Sequence, residues 1–148
     1  MRLATFFNPE HVIFLEGDEK QLVIKEMIQK FAALGHITNT PRYYAQIIHR
    51  ESLENTGVGS GFAIPHARTD SVNDFYVLFG ITRKGVDYQS YDGKEVNYIM
   101  LSIFPSEMST KYLYLVGMMA NIFSIKKNRD MLDAAETTED IYRILDEQ

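Results

Sequence analysis

NDFYVLFGITRKG, residues 73–85, and EVNYIMLSIFP, residues 95–105, are the stretches on which the fold turns. Both are rich in β-branched and aromatic residues, and both are apolar at nearly consecutive positions, where a strand with one wet face would alternate. Strands of this kind are buried on both faces, so helices must cover their sheet from each side. SYDGKE, residues 90–95, carries Asp92 and Gly93 and reads as the turn between them.

Outward from this pair, HVIFLEG, residues 11–17, is a short strand closed by Gly17. Asp18 is the expected N-cap of a helix in which Ile24, Ile28, Phe31 and Leu34 recur at helical spacing until Gly35 ends it. A second helix is expected from Thr40, with Pro41 in its first turn, toward Leu53, placing His49 and Arg50 on its later turns. From Ser109 the period is helical again, with Leu113, Val116, Met119, Ala120 and Phe123 as the apolar stripe, and Thr138 to Leu145 forms a closing helix. Helices, then strands, then helices predict an α/β fold: one domain over residues 1–148, with no repeat, low-complexity tract or linker.

Composition narrows the function classes. With 148 residues, 45% of them hydrophobic, the chain can bury a core without staples. It has no cysteine, which excludes disulfides, thiolate nucleophiles and cysteine-ligated metals. A formal charge of −5 argues against nucleic acid as a partner, and Lys126, Lys127 and Arg129 form only a short basic cluster that reads as a solvated helix end. No apolar run reaches bilayer-spanning length, and MRLATFFNPEH lacks the core of a secretory signal, so a cytoplasmic protein without membrane insertion is expected. No His-Glu-x-x-His spacing occurs; neither a metal nor a cofactor is expected.

The chemistry concentrates in TGVGSGFAIPHARTD, residues 56–70. Gly57, Gly59 and Gly61 permit positive φ and leave room for a phosphate-sized group or a partner to approach. Pro65 fixes its own φ and biases Ile64 toward an extended conformation, which stiffens the mount of His66. A largely neutral imidazole is a nucleophile for phosphoryl groups, and the charge it would accept calls for an arginine fork or backbone N–H groups. Arg50 supplies that fork if its helix lies alongside. On spacing alone a lone histidine is more often structural than catalytic. His36 is expected in a solvated loop and His11 before a strand, while His49, about 100° from Arg50 around the helix, is not expected to share its target. Glu51 and Asp70 read as helix-end and loop polar groups.

The run HRESLENTGVGSGFAIPHAR, residues 49–68, resembles the active-site signature of the enzyme IIA component of the bacterial phosphoenolpyruvate-dependent sugar phosphotransferase system, fructose and mannitol class, which includes the nitrogen-regulatory paralogue. Arg50, Glu51, Thr56, Gly57, Gly61, Ala63, Ile64, Pro65 and His66 match it in order, and DMLDAAETTEDIYRIL, residues 130–145, resembles the family's closing segment. The resemblance implies a mixed β-sheet flanked by helices. It implies that His66 receives phosphate from a small histidine phosphocarrier protein, that Arg50 neutralises the phosphoryl charge, and that Thr56, Gly57 and Gly61 support the phosphate site. An enzyme IIB domain or a regulatory target is the implied next partner.

One position departs from that pattern. Family members usually carry a second histidine at the start of the late helix, whereas STKYLYLVGMMANIF, residues 109–123, has Tyr112 there. A phenol still forms hydrogen bonds but has no cationic form at neutral pH. A regulatory, nitrogen-regulatory-type IIA is therefore expected, since the sequence shows no membrane segment or fused transferase domain. A sugar-specific IIA subunit and an interaction module with impaired phosphotransfer are the alternatives.

Overall fold

The computed structural model describes residues 2–148. In chain order its elements are β1 (Val12–Phe14), α1 (Lys20–Ala33), α2 (Thr40–Leu53), β2 (Gly57–Gly59), β3 (Phe62–Ala63), β4 (His66–Arg68), β5 (Tyr76–Val86), β6 (Val96–Phe104), α3 (Ser109–Ser124), α4 (Lys126–Ala134) and α5 (Thr138–Asp146). The sheet runs β1-β5-β6-β3-β2, with β4 also on β6. The two apolar stretches, β5 and β6, form its antiparallel centre, β1 joins β5 in parallel, and β3 and β4 join β6 in parallel.

Pleating explains why both strands are apolar throughout. On β6, Tyr98, Met100 and Phe104 enter a core shared with Leu115, Met119 and Phe123 of α3, Leu132 of α4 and Ile141 of α5. Ile99, Leu101 and Ile103 enter the opposite core, with Val23, Ile24, Met27 and Phe31 of α1 and Ile47 of α2. The mixed α/β sheet covered on both faces is thus the fold that the paired apolar runs require.

Several local expectations are corrected. The helix expected from Asp18 is capped at Glu19, which forms an isolated parallel bridge with Asp87 and so extends the entry by one residue. The second helix runs Thr40–Leu53 as expected, with Asn39 as its cap, whose side chain accepts from the Arg42 N–H. Lys126, Lys127 and Arg129 lie in the first turn of α4, so the helix end expected there is its N-terminal one. On α3 the buried face is Tyr112, Leu115, Met119, Ile122 and Phe123, while Leu113 and Ala120 are exposed. Apolar residues surround much of that helix, and sheet contact decides which of them turn inward.

His36 is not in a solvated loop: its ring stacks on Tyr76 at 4.5 Å, and its Nε2 lies 3.3 Å from Nε2 of His11. Nδ1 of His11 accepts from the Asn8 N–H at 3.3 Å, so the His11 proton sits on Nε2 and is donated to His36. Burial, then the neighbouring His36, holds the His11 pKa below its ordinary value. The unfolded chain therefore binds more protons as pH falls below about 6.5, and stability present above that pH is lost on acidification. Thermal melts at about pH 7.5 and about pH 5.5 are expected to show the loss, and His11→Gln to narrow the difference. An equal difference in the variant would remove the histidine pair from this account.

Candidate functional site

β4 presents His66 to the site. Its register on β6 pairs His66 with Ser102, whose N–H donates to the Pro65 carbonyl at 3.2 Å. Proline keeps the preceding residue extended, and the Ile64 carbonyl comes within 3.0 Å of His66 Nδ1. A carbonyl only accepts, so Nδ1 carries the ring proton and Nε2 keeps the lone pair. The Tyr112 hydroxyl oxygen, also 3.0 Å from Nδ1, shares that proton as a second acceptor and leaves its own O–H free. Burial, with a contribution from the Arg50 charge, lowers the His66 pKa and favours the neutral, nucleophilic ring.

Beside His66 lies a cavity of about 530 Å³. Gln46, His49 and Arg50 line it from α2, at i, i+3 and i+4 on one helical face; Arg68 lines it from β4, two residues beyond His66 on the same side of the strand. Phe104, Ser109, Tyr112 and Leu113 complete the wall, and no carboxylate is among its lining residues. Two arginines without a carboxylate suit an anion. Arg50 spends one donor on the end of its own helix, Nη1 to the Glu54 carbonyl at 3.1 Å, and keeps the rest of its fork.

The structure thus brings His66, Arg50 and Tyr112 to one cavity, and it brings His49 there too, against expectation. The 100° between His49 and Arg50 is spanned because the cavity is broad and both flank the face centred near Gln46. Gln46 and Arg68 were missed; the signals that would have found them are the helical i, i+4 spacing to Arg50 and the strand i, i+2 spacing to His66.

Tyr112 is fixed by packing. Its ring stacks on Phe104 at 4.6 Å and lies 4.8 Å from the His66 ring. Burial raises its pKa well above the ordinary phenol value, so the hydroxyl stays protonated at neutral pH. Asp70 accepts from the N–H and hydroxyl of Ser106, at 2.9 and 2.7 Å, which ties the loop after β4 to the turn that opens α3.

Thr56, Gly57 and Gly61 do not line the cavity. A Cβ on Gly57 would collide with the Ser90 side chain, so that glycine closes a packing contact. Gly59, Ser60 and Gly61 all have positive φ and make the tight turn from β2 to β3. Thr56 is buried behind the site, its hydroxyl and N–H both directed at the Glu51 carboxylate. In the structure these glycines shape the backbone that leads to His66. Among the described residues no group of three or more His, Cys, Asp or Glu side chains is arranged to hold a metal, and no helix is long and apolar enough to cross a membrane.

A mixed sheet covered on both faces, with a histidine on one short strand and two arginines at the same cavity, defines the class of α/β domain to which the chain is to be compared. Residues 5–148 match the family model "Phosphoenolpyruvate-dependent sugar phosphotransferase system, EIIA 2", and the chain belongs to that family. It is 31% identical over 133 residues to the fructose-specific EIIABC component of Bacillus subtilis, a match covering 90% of this chain and 21% of that protein. The chain therefore spans about a fifth of that relative's length. The nitrogen regulatory protein IIA-Ntr of Neisseria meningitidis superposes with a TM-score of 0.88 at 26% identity, over 97% of this chain and 98% of that one. The fold is shared by Escherichia coli enzyme IIA mannitol in its complex with phosphorylated enzyme IIB mannitol: TM-score 0.80, 15% identity, 96% of this chain and 98% of the matched chain.

Proposed function

We propose that the chain accepts a phosphoryl group on Nε2 of His66 from a histidine phosphocarrier protein. The observation that carries this reading is the pairing of Nδ1 with the Ile64 carbonyl, which leaves the Nε2 lone pair free in a ring beside a cavity lined by two arginines. In the transfer the Nε2–P bond forms as the donor's P–N bond breaks, and the bonding electrons return to the donor ring. Little covalent chemistry is left to the acceptor protein, so position and charge neutralisation supply the catalysis. Arg50 and Arg68 are the cations in reach, and Nδ1 keeps its proton on Ile64 throughout. Incubation with phosphoenolpyruvate, enzyme I and the carrier, read by intact mass, tests this. One added phosphate is expected; none, where a control IIA is labelled, returns the chain to a pure interaction module.

Tyr112 supports the phosphorylated state in this proposal, through its free O–H and its contact with Nδ1. Tyr112→Phe is expected to shorten the lifetime of phospho-His66 about fivefold, the worth of roughly one hydrogen bond. Tyr112→His is expected to restore it. An unchanged lifetime in the phenylalanine variant would leave Tyr112 a packing residue.

The role assigned downstream is regulatory, of the nitrogen-regulatory IIA type, supported by the likeness to the Neisseria protein over nearly both whole chains. The 31% identity to the fructose-specific protein favours a second reading, a sugar-specific IIA unit that passes phosphate to an enzyme IIB domain. Mixing the phosphorylated chain with a purified fructose-type IIB domain separates them: rapid phosphate loss to IIB supports the sugar-specific reading, and retention supports the regulatory one.

A further inference from the structure

Behind the cavity, on the residue after Arg50, lies a carboxylate that the phosphotransfer scheme does not use. The Glu51 side chain is 3% exposed. It receives Lys20 Nζ from α1 at 2.9 Å, the Tyr88 hydroxyl from the β5–β6 connection at 2.9 Å, and both the N–H (3.3 Å) and the hydroxyl of Thr56. The Lys20 ammonium also sits 4.2 Å over the Tyr88 ring. A buried carboxylate is tolerated only when paired and fully hydrogen-bonded, and this one draws its donors from three separate parts of the chain.

The geometry points to Glu51 as a positioning residue that holds Arg50 and His66 in one frame. This rests on the reading of His66 as acceptor and Arg50 as its counter-charge. One connection is direct, since Glu51 anchors the last turn of the helix that carries Arg50. The other runs through hydrogen bonds. The Thr56 N–H donates to Glu51, the Thr56 carbonyl accepts from the Ile64 N–H at 3.0 Å, and the Ile64 carbonyl accepts the His66 Nδ1 proton at 3.0 Å. At both Thr56 and Ile64 the N–H and the carbonyl belong to different peptide units, so the linkage transmits position, not electronic polarisation. Moving Glu51 therefore shifts the carbonyl that sets the His66 tautomer together with the guanidinium that meets the phosphate.

Glu51→Gln and Tyr88→Phe in the full chain test this, with two readouts that a simple loss of stability does not move. The first is the ¹⁵N spectrum of His66: the wild type is expected as the Nδ1–H form, and Glu51→Gln as a mixture of tautomers. The second is phosphotransfer from the phosphorylated carrier, where Glu51→Gln is expected to lower the maximal rate about tenfold or more while the half-saturating carrier concentration changes less than about twofold. Tyr88→Phe, which removes one donor, is expected to shift both in the same direction by less. A folded Glu51→Gln chain with an unchanged tautomer and a maximal rate within about twofold of wild type would overturn the proposal. If that variant does not fold, Tyr88→Phe decides on the same criteria. If the wild type itself takes no phosphate, the acceptor reading fails, and the ¹⁵N comparison still decides whether Glu51 holds His66.

Discussion

His66→Ala is expected to take up no phosphate under conditions in which the wild type is fully labelled. No other side chain in the cavity combines its properties. The imidazole is neutral because burial lowers its pKa, its proton is committed to the Ile64 carbonyl, and its free nitrogen is left to attack. His49 lines the same cavity, but it sits exposed on α2 without a backbone acceptor to fix its tautomer. Intact mass after incubation with phosphoenolpyruvate, enzyme I and the carrier gives the answer. Persistent single labelling of the alanine variant would move the acceptor to another residue, with His49 the first to examine. The melting temperature is expected to change little, because the half-buried ring lies at the cavity edge.

Arg50→Ala is expected to slow labelling roughly 10²-fold, the usual cost of deleting a donor aimed at developing charge. A phosphoryl group adds about two negative charges, and among the described residues Arg50 and Arg68 are the arginines that line the cavity to meet them. Arg50 stands on the last turn of a helix that Glu51 ties to Lys20, Thr56 and Tyr88. Arg50→Lys should recover part of the rate, because it restores charge without planar two-point contact. Rapid-quench kinetics with the phosphorylated carrier reads both variants. A near-wild-type rate for Arg50→Ala would assign the neutralising role to Arg68.

How much of this was legible in the sequence depended on the range of each interaction. The doubled apolar runs of β5 and β6 announced a sheet covered on both faces, because that requirement is written into consecutive residues. The burial face of α3 was not legible, since Tyr112, Leu113, Leu115, Val116, Met118 and Met119 offer several apolar stripes and only the sheet selects among them. The glycines of residues 57–61 were legible as backbone devices, but whether a missing side chain opens space or fills it depends at Gly57 on Ser90, distant in sequence. His36 was read from the Gly35 stop beside it, whereas its stacking on Tyr76 crosses to β5. The junction of His66 with Tyr112 spans 46 residues, and only the resemblance to a known signature made that pair visible before the structure.

Phosphotransfer to His66 is tested most sharply at the atom that carries the phosphate. ³¹P and ¹⁵N NMR of the chain, labelled on its histidines and phosphorylated through the carrier, resolves the ring nitrogen bonded to phosphorus. One phosphohistidine is expected, at Nε2 of His66, with Nδ1 still protonated against the Ile64 carbonyl. Phosphate on Nδ1 of His66, or on any other residue, would contradict it.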